Sequence, residues 1–127
     1  MTTVTVLPEN YYALRVIKTE IRESKRDSQK YISLTLEVTN GVWKGHKVFL
    51  SLAPWPKSRW KWLKDLSAFF TQDQIELLGF NEPTIDRVVL MAIKDLLFDK
   101  VVPALISVHG LHGREYNNVQ PFKEKAQ

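Results

Sequence analysis

The chain has no cysteine. Disulfides, thiolate metal sites and cysteine nucleophiles are therefore excluded, and the composition suits a reducing compartment, the cytoplasm. No run approaches the ~18 consecutive apolar residues of a membrane helix. The opening MTTVTVLPEN lacks a basic segment ahead of an apolar run. Neither membrane insertion nor secretion is expected. Also missing are a phosphate loop, a nucleophile elbow and a convincing carboxylate pair, so catalysis is not expected. The only histidines are His46, His109 and His112. His109 and His112 flank a glycine turn with no thiolate or acidic cluster to complete a shell, so neither a metal nor another cofactor is expected. Internal repeats and low-complexity tracts are absent.

What remains is a chain of 127 residues with formal charge +4. That length suits one domain with a core that needs no covalent staples. The charge is segregated. Basic residues outnumber acidic ones up to Ala53, and Pro54 to Lys64 adds Lys57, Arg59, Lys61 and Lys64 with no acid. From Asp65 to Asp99 the acids dominate. A basic face of this kind favours a polyanionic partner.

The most organised stretch is Lys30 to Ala53, KYISLTLEVTNGVWKGHKVFLSLA. Ile32, Leu34, Leu36 and Val38 share one parity and Tyr31, Ser33, Thr35 and Glu37 the other, which reads as a strand with one buried face. Asn40-Gly41 reverses the chain, and Gly45 allows a wider loop carrying Trp43 and Lys44. In the returning strand Val48, Leu50 and Leu52 face one way while Lys47, Phe49 and Ser51 face the other. The hairpin thus offers a core face and a mixed aromatic, basic and hydroxyl face.

A first strand is expected over Tyr11–Arg22. Tyr12, Leu14 and Val16 point inward, and a phase slip at Val16-Ile17 lets Ile17 and Ile21 continue, as a bulge would leave it. Pro54-Trp55-Pro56 ends the sheet. A helical insert over about 57–98 follows. Ser58 is its candidate N-cap, and Trp62, Leu63, Leu66, Phe69 and Phe70 form one helix face. Thr71 and Gln74 make a capping box for a short helix ending at Gly79. Ile85, Val88, Val89, Ala92, Ile93, Leu96 and Leu97 form an apolar stripe on a last helix. Strands resume over Lys100–His109 and Arg114–Phe122. Three strands, a helical insert and two strands is the order of the five-stranded OB fold, a small Greek-key barrel.

Tyr31-Ile-Ser-Leu-Thr-Leu-Glu-Val38, then Gly41-Val-Trp-Lys-Gly45 and Lys47-Val-Phe49, resembles the centre of a family of small bacteriophage OB-fold single-stranded-DNA-binding proteins of replication and recombination. Lys100-Val-Val-Pro-Ala104, Tyr116-Asn-Asn-Val119 and Phe122 are similar to that family's last two strands, so the resemblance spans about two-thirds of the chain. It implies a sequence-tolerant single-stranded-DNA-binding protein of the host cytoplasm, meeting phage or host replication and recombination proteins, with self-association open. The chain departs from the family in its long, Trp-rich insert. Its tail, PFKEKAQ, also lacks the acidic tip by which many such proteins recruit partners.

On an OB barrel the ligand surface is the outer face of strands two and three, flanked by the first and last loops. It would carry Arg15, Tyr31, Lys44, Lys47 and Phe49, with Lys25, Arg26 and Lys30 from the first loop and Arg114 and Tyr116 from the last. Cations would track phosphates and rings would stack bases. Each residue has a plainer alternative. Tyr31 and Phe49 could form a minor core beneath the helices, the first loop could be merely solvated, and Trp43 could cap the barrel end. In the insert Trp62 belongs to the apolar stripe and Trp60 is ambiguous. Trp55, between two prolines, is expected to be the most exposed, and with Lys57 and Arg59 it could contact ligand or only pack. Two other readings stay open: an RNA-binding OB domain, and a protein-binding module using the acidic surface of the Thr84–Asp99 helix or Trp55 and its neighbours.

Overall fold

A computed structural model of the chain describes residues 6–25, 29–55, 58–80, 85–111 and 114–122. The central alternation becomes β2 (Lys30–Val38), where Ile32, Leu34, Leu36 and Val38 are fully buried. β3 (Lys47–Leu52) repeats it, burying Val48, Leu50 and Leu52. The turn between them needs both glycines. Gly41 and Gly45 sit at φ +81° and +91°, a region that a side chain disfavours. The Gly45 N–H donates to the Val38 carbonyl at 2.9 Å and closes the loop.

β1 (Asn10–Glu23) serves two neighbours. It pairs with β4 (Val101–Leu111) through Asn10–Arg15 and with β2 through Leu14–Glu23. Its register against β2 steps from Val16↔Leu36 to Lys18↔Thr35, leaving Ile17 as the extra residue. This is the expected bulge, and it bends the strand so that each half can follow a different partner. β4 pairs in turn with β5 (Arg114–Pro121). The result is a five-stranded antiparallel sheet in the order β3-β2-β1-β4-β5. Among the described residues no ladder joins β3 to β5, so the sheet is open and does not close into a hydrogen-bonded barrel.

Among the described residues three helices lie between β3 and β4. In α1 (Arg59–Phe69) Trp62, Leu66 and Phe69 are buried, and the Trp62 indole N–H donates to the Phe80 carbonyl at 2.9 Å. Ser58 stands at the start of α1 but does not cap it, because its hydroxyl donates back to the Ala53 carbonyl at 2.9 Å. The capping box of α2 (Gln72–Leu77) is complete: the Gln74 N–H reaches the Thr71 hydroxyl and the Thr71 N–H reaches the Gln74 side chain. Asp86 caps α3 (Arg87–Leu97) through the Val89 N–H.

The apolar stripe of α3 is wider than the face it buries. Of its residues Ile93 and Leu97 are in the core while Val88, Ala92 and Leu96 are exposed; Leu90, outside the expected stripe, is also buried, and Met91, likewise outside it, is exposed. The helices and the inward faces of the strands share one hydrophobic cluster, so the helical insert covers the inside of the sheet and leaves its outer face open. One carboxylate enters this interior. Asp65 is buried on α1, 2.6 Å from the Lys61 ammonium, and burial pushes its carboxyl above the usual range while Lys61 opposes the shift. Among the described residues no helix is long and apolar enough to cross a membrane.

Candidate nucleic-acid interface

Pairing on both sides of β2 lines up the outward residues of three strands in rows. Arg15, Glu37 and Lys47 form one row, Lys18, Thr35 and Phe49 the next, Glu20, Ser33 and Ser51 a third, and Arg22 stands beside Tyr31 in the fourth. Phe49 is 68% exposed, so the helices do not cover it. Arg15 and Lys18 are likewise open to solvent. Cations outnumber carboxylates on this face, and hydroxyls fill the middle.

The carboxylates temper the charge locally. Glu20 lies 2.7 Å from the Lys18 ammonium and 2.9 Å from the Arg22 guanidinium. Hydrogen bonds from Lys18 and then Arg22 hold its carboxyl below the usual range. Lys30 reaches Glu23 at 3.2 Å, and Arg15 lies 3.8 Å from Asp99. All these pairs are solvated, so a phosphate could compete for the same cations at small cost.

At one end of the face an open cleft of about 660 Å³ is lined by Arg22, Lys25, Tyr31, Ser51 and Trp55, among others. Tyr31 and Trp55 meet edge to face, with ring centroids 5.8 Å apart. The Trp55 indole N–H donates to the Lys30 carbonyl at 3.0 Å, which fixes the ring against the start of β2. The cleft thus joins two rings to two cationic side chains and one carboxylate, Glu23.

At the other side β3 and β5 approach without a ladder. A pocket of about 210 Å³ between them is lined by His46, Lys47 and Phe49 from one edge and Glu115, Tyr116 and Asn117 from the other. Tyr116 stacks on His109 at 5.8 Å with an interplanar angle of 24°. Phe49, Tyr116 and His109 therefore bring rings from three strands to one region.

The expected site residues divide accordingly. Lys25, Tyr31 and Trp55 gather at the cleft, and Lys47, Phe49 and Tyr116 at the β3–β5 pocket. Arg15 lies on the outer face in the row of Lys47. Lys30 is exposed beside Glu23, and Lys44 is exposed in the β2–β3 turn. Arg59 is half-buried, with its guanidinium donating to the Pro54 carbonyl at 3.1 Å, which braces the loop. Arg26 and Lys57 lie outside the described residues, as does the Arg114 side chain.

Exposure in the Trp-rich segment is redistributed. Trp55 is half-buried by its bond to β2, and Trp60 is the open ring at 68%. Trp62 is in the core, and Trp43 packs partly against it. Lys18, Arg22, His46 and His109 were not among the expected site residues. The phase slip at Ile17 carried the signal for the first two, since it turns Lys18, Glu20 and Arg22 outward together.

No curated protein matches the chain. A family model described as "Protein of unknown function (DUF669)" matches residues 2–127. The chain therefore belongs to the DUF669 family.

Proposed function

We propose that this is an OB-type single-stranded-DNA-binding protein of phage replication or recombination, tolerant of sequence, which holds phosphates with cations and bases on exposed rings. The carrying observation is the uncovered outer face of β1–β3, where Lys47 and Phe49 adjoin Tyr116 on one side and the Tyr31–Trp55 cleft opens on the other. Single strands present phosphates and flat base faces, and this surface offers a partner for each. The OB assignment is supported by a first strand bent so as to pair on both sides, and by the approach of β3 to β5 where a barrel would close. The choice of DNA over RNA, and of a phage context, rests on the family resemblance alone.

A titration with oligo-dT, oligo-rU and duplex at two salt concentrations tests the proposal. Oligo-dT should bind more tightly than duplex, and its affinity should fall as salt rises. Equal binding of duplex, or affinity indifferent to salt, would sink it. Tighter binding of oligo-rU would move the reading to RNA. A protein-contact role can coexist, favoured by the exposed Val88, Met91 and Leu96 beside Asp95 on α3.

A further inference from the structure

A third cavity, of about 620 Å³, lies away from the Tyr31–Trp55 cleft, between the start of β1, the β2–β3 turn and the end of β5. Tyr11, Tyr12, Trp43 and Phe122 line it, and no charged residue does. Tyr11 is 66% exposed and meets Phe122 edge to face at 5.7 Å, so most of its surface is open to a visitor. Two lining residues also carry hydrogen-bonding groups with no partner among the described residues. Neither the Trp43 indole N–H nor the Asn40 side chain makes a hydrogen bond among the described residues.

This cavity is not isolated from the face described above. Trp43 meets His46 edge to face at 5.7 Å, and His46 lines the β3–β5 pocket together with Phe49 and Tyr116. Rings therefore run from Tyr116 and Phe49 through His46 and Trp43 to Tyr11 and Phe122. Cations flank the far end without entering it. Arg15 shares the outward parity of Tyr11 on β1, and Lys44 follows Trp43 in the turn.

Resting on the DNA reading of the outer face, we infer that this cavity is an additional base-binding subsite, which takes an unpaired nucleobase of a strand leaving the β3–β5 pocket. A nucleobase is flat, uncharged and edged with acceptors, which suits rings, an indole N–H and a carboxamide. Its flanking phosphates would meet Arg15 and Lys44. An extended proline-rich peptide would also suit aromatic walls, but continuity with the ring path and the flanking cations favours the strand.

The test compares wild type, Tyr11→Ala and Tyr11→Phe with oligo-dT of about 4 and about 16 nucleotides, the span of lengths one OB fold covers. Tyr11→Ala should lose about ten-fold in affinity for the long oligonucleotide and nothing for the short one, and Tyr11→Phe should restore it. The Trp43 indole resonance should shift only with the long strand. Unchanged affinity in Tyr11→Ala, or an equal loss at both lengths, would overturn the subsite and leave the main face standing. Wild type that binds neither oligonucleotide would remove both readings. A proline decamer that shifts the Trp43 resonance while the long oligonucleotide does not would assign the cavity to a peptide instead.

Discussion

Replacing Phe49 with alanine separates a ligand-facing ring from a structural one, because the two roles give different numbers. Truncating a fully buried phenylalanine costs ~3–5 kcal/mol. Phe49 is 68% exposed, so about a third of that cost applies, roughly 1–1.7 kcal/mol of stability. A base stacked on the ring contributes ~1–3 kcal/mol, or about 5- to 150-fold in Kd. Oligo-dT titration by fluorescence anisotropy and urea unfolding of the same samples measure both. The expected outcome is a small shift of the unfolding midpoint with a large loss of affinity. Lys47→Ala should in addition flatten the dependence of log affinity on log salt by ~0.7 for each phosphate left without its cation. A Phe49→Ala protein that is several kcal/mol less stable, yet binds as wild type does, would refute the reasoning.

Glu20 clamps Lys18 and Arg22, so Glu20→Gln should free both cations, raise oligo-dT affinity at low salt and steepen the salt dependence. Unchanged binding at low salt would take that row out of the phosphate track. Asp65 holds its proton more tightly in the folded protein than in the unfolded chain, so its contribution to stability is present in acid and lost as pH rises through its raised folded value. The stability of wild type relative to Asp65→Asn should therefore fall from acid to neutral pH in urea titrations. A pH-independent difference would contradict the burial argument. Gly45→Ala should cost about 1–2 kcal/mol in thermal unfolding from its backbone conformation alone, since no atom lies within 4 Å of the added carbon. A neutral result would show that the turn can change shape.

The strands were readable in the chain because a half-buried strand imposes period two, and β2 and β3 obey it without exception. The bulge was readable for the same reason, as a break in that period at Ile17. The capping box at Thr71 and Gln74 is purely local and survived folding unchanged. Exposure inside the Trp-rich segment was not readable. Trp55 is held by the carbonyl of Lys30, a bond across 25 positions that composition does not encode. The buried Asp65 was hidden similarly, because its burial depends on what packs over α1. On α3 the periodicity named Ile93 and Leu97 but missed the buried Leu90 and included the exposed Val88 and Leu96, because packing decides which side of the helix meets the sheet. The candidate face lay between these limits. Phe49 and Lys47 followed from parity and Tyr116 from the barrel reading, whereas the stacking of His109 on Tyr116 required the fold.

The seam between β3 and β5 has a mechanical consequence. β3 is only six residues long and is zipped along one flank, so it should be the first strand to exchange its amide hydrogens. A guest gripped by Phe49 on one lip and Tyr116 on the other would act as a clasp across that slit. Occupancy should then raise the melting temperature and slow exchange in both edge strands at once.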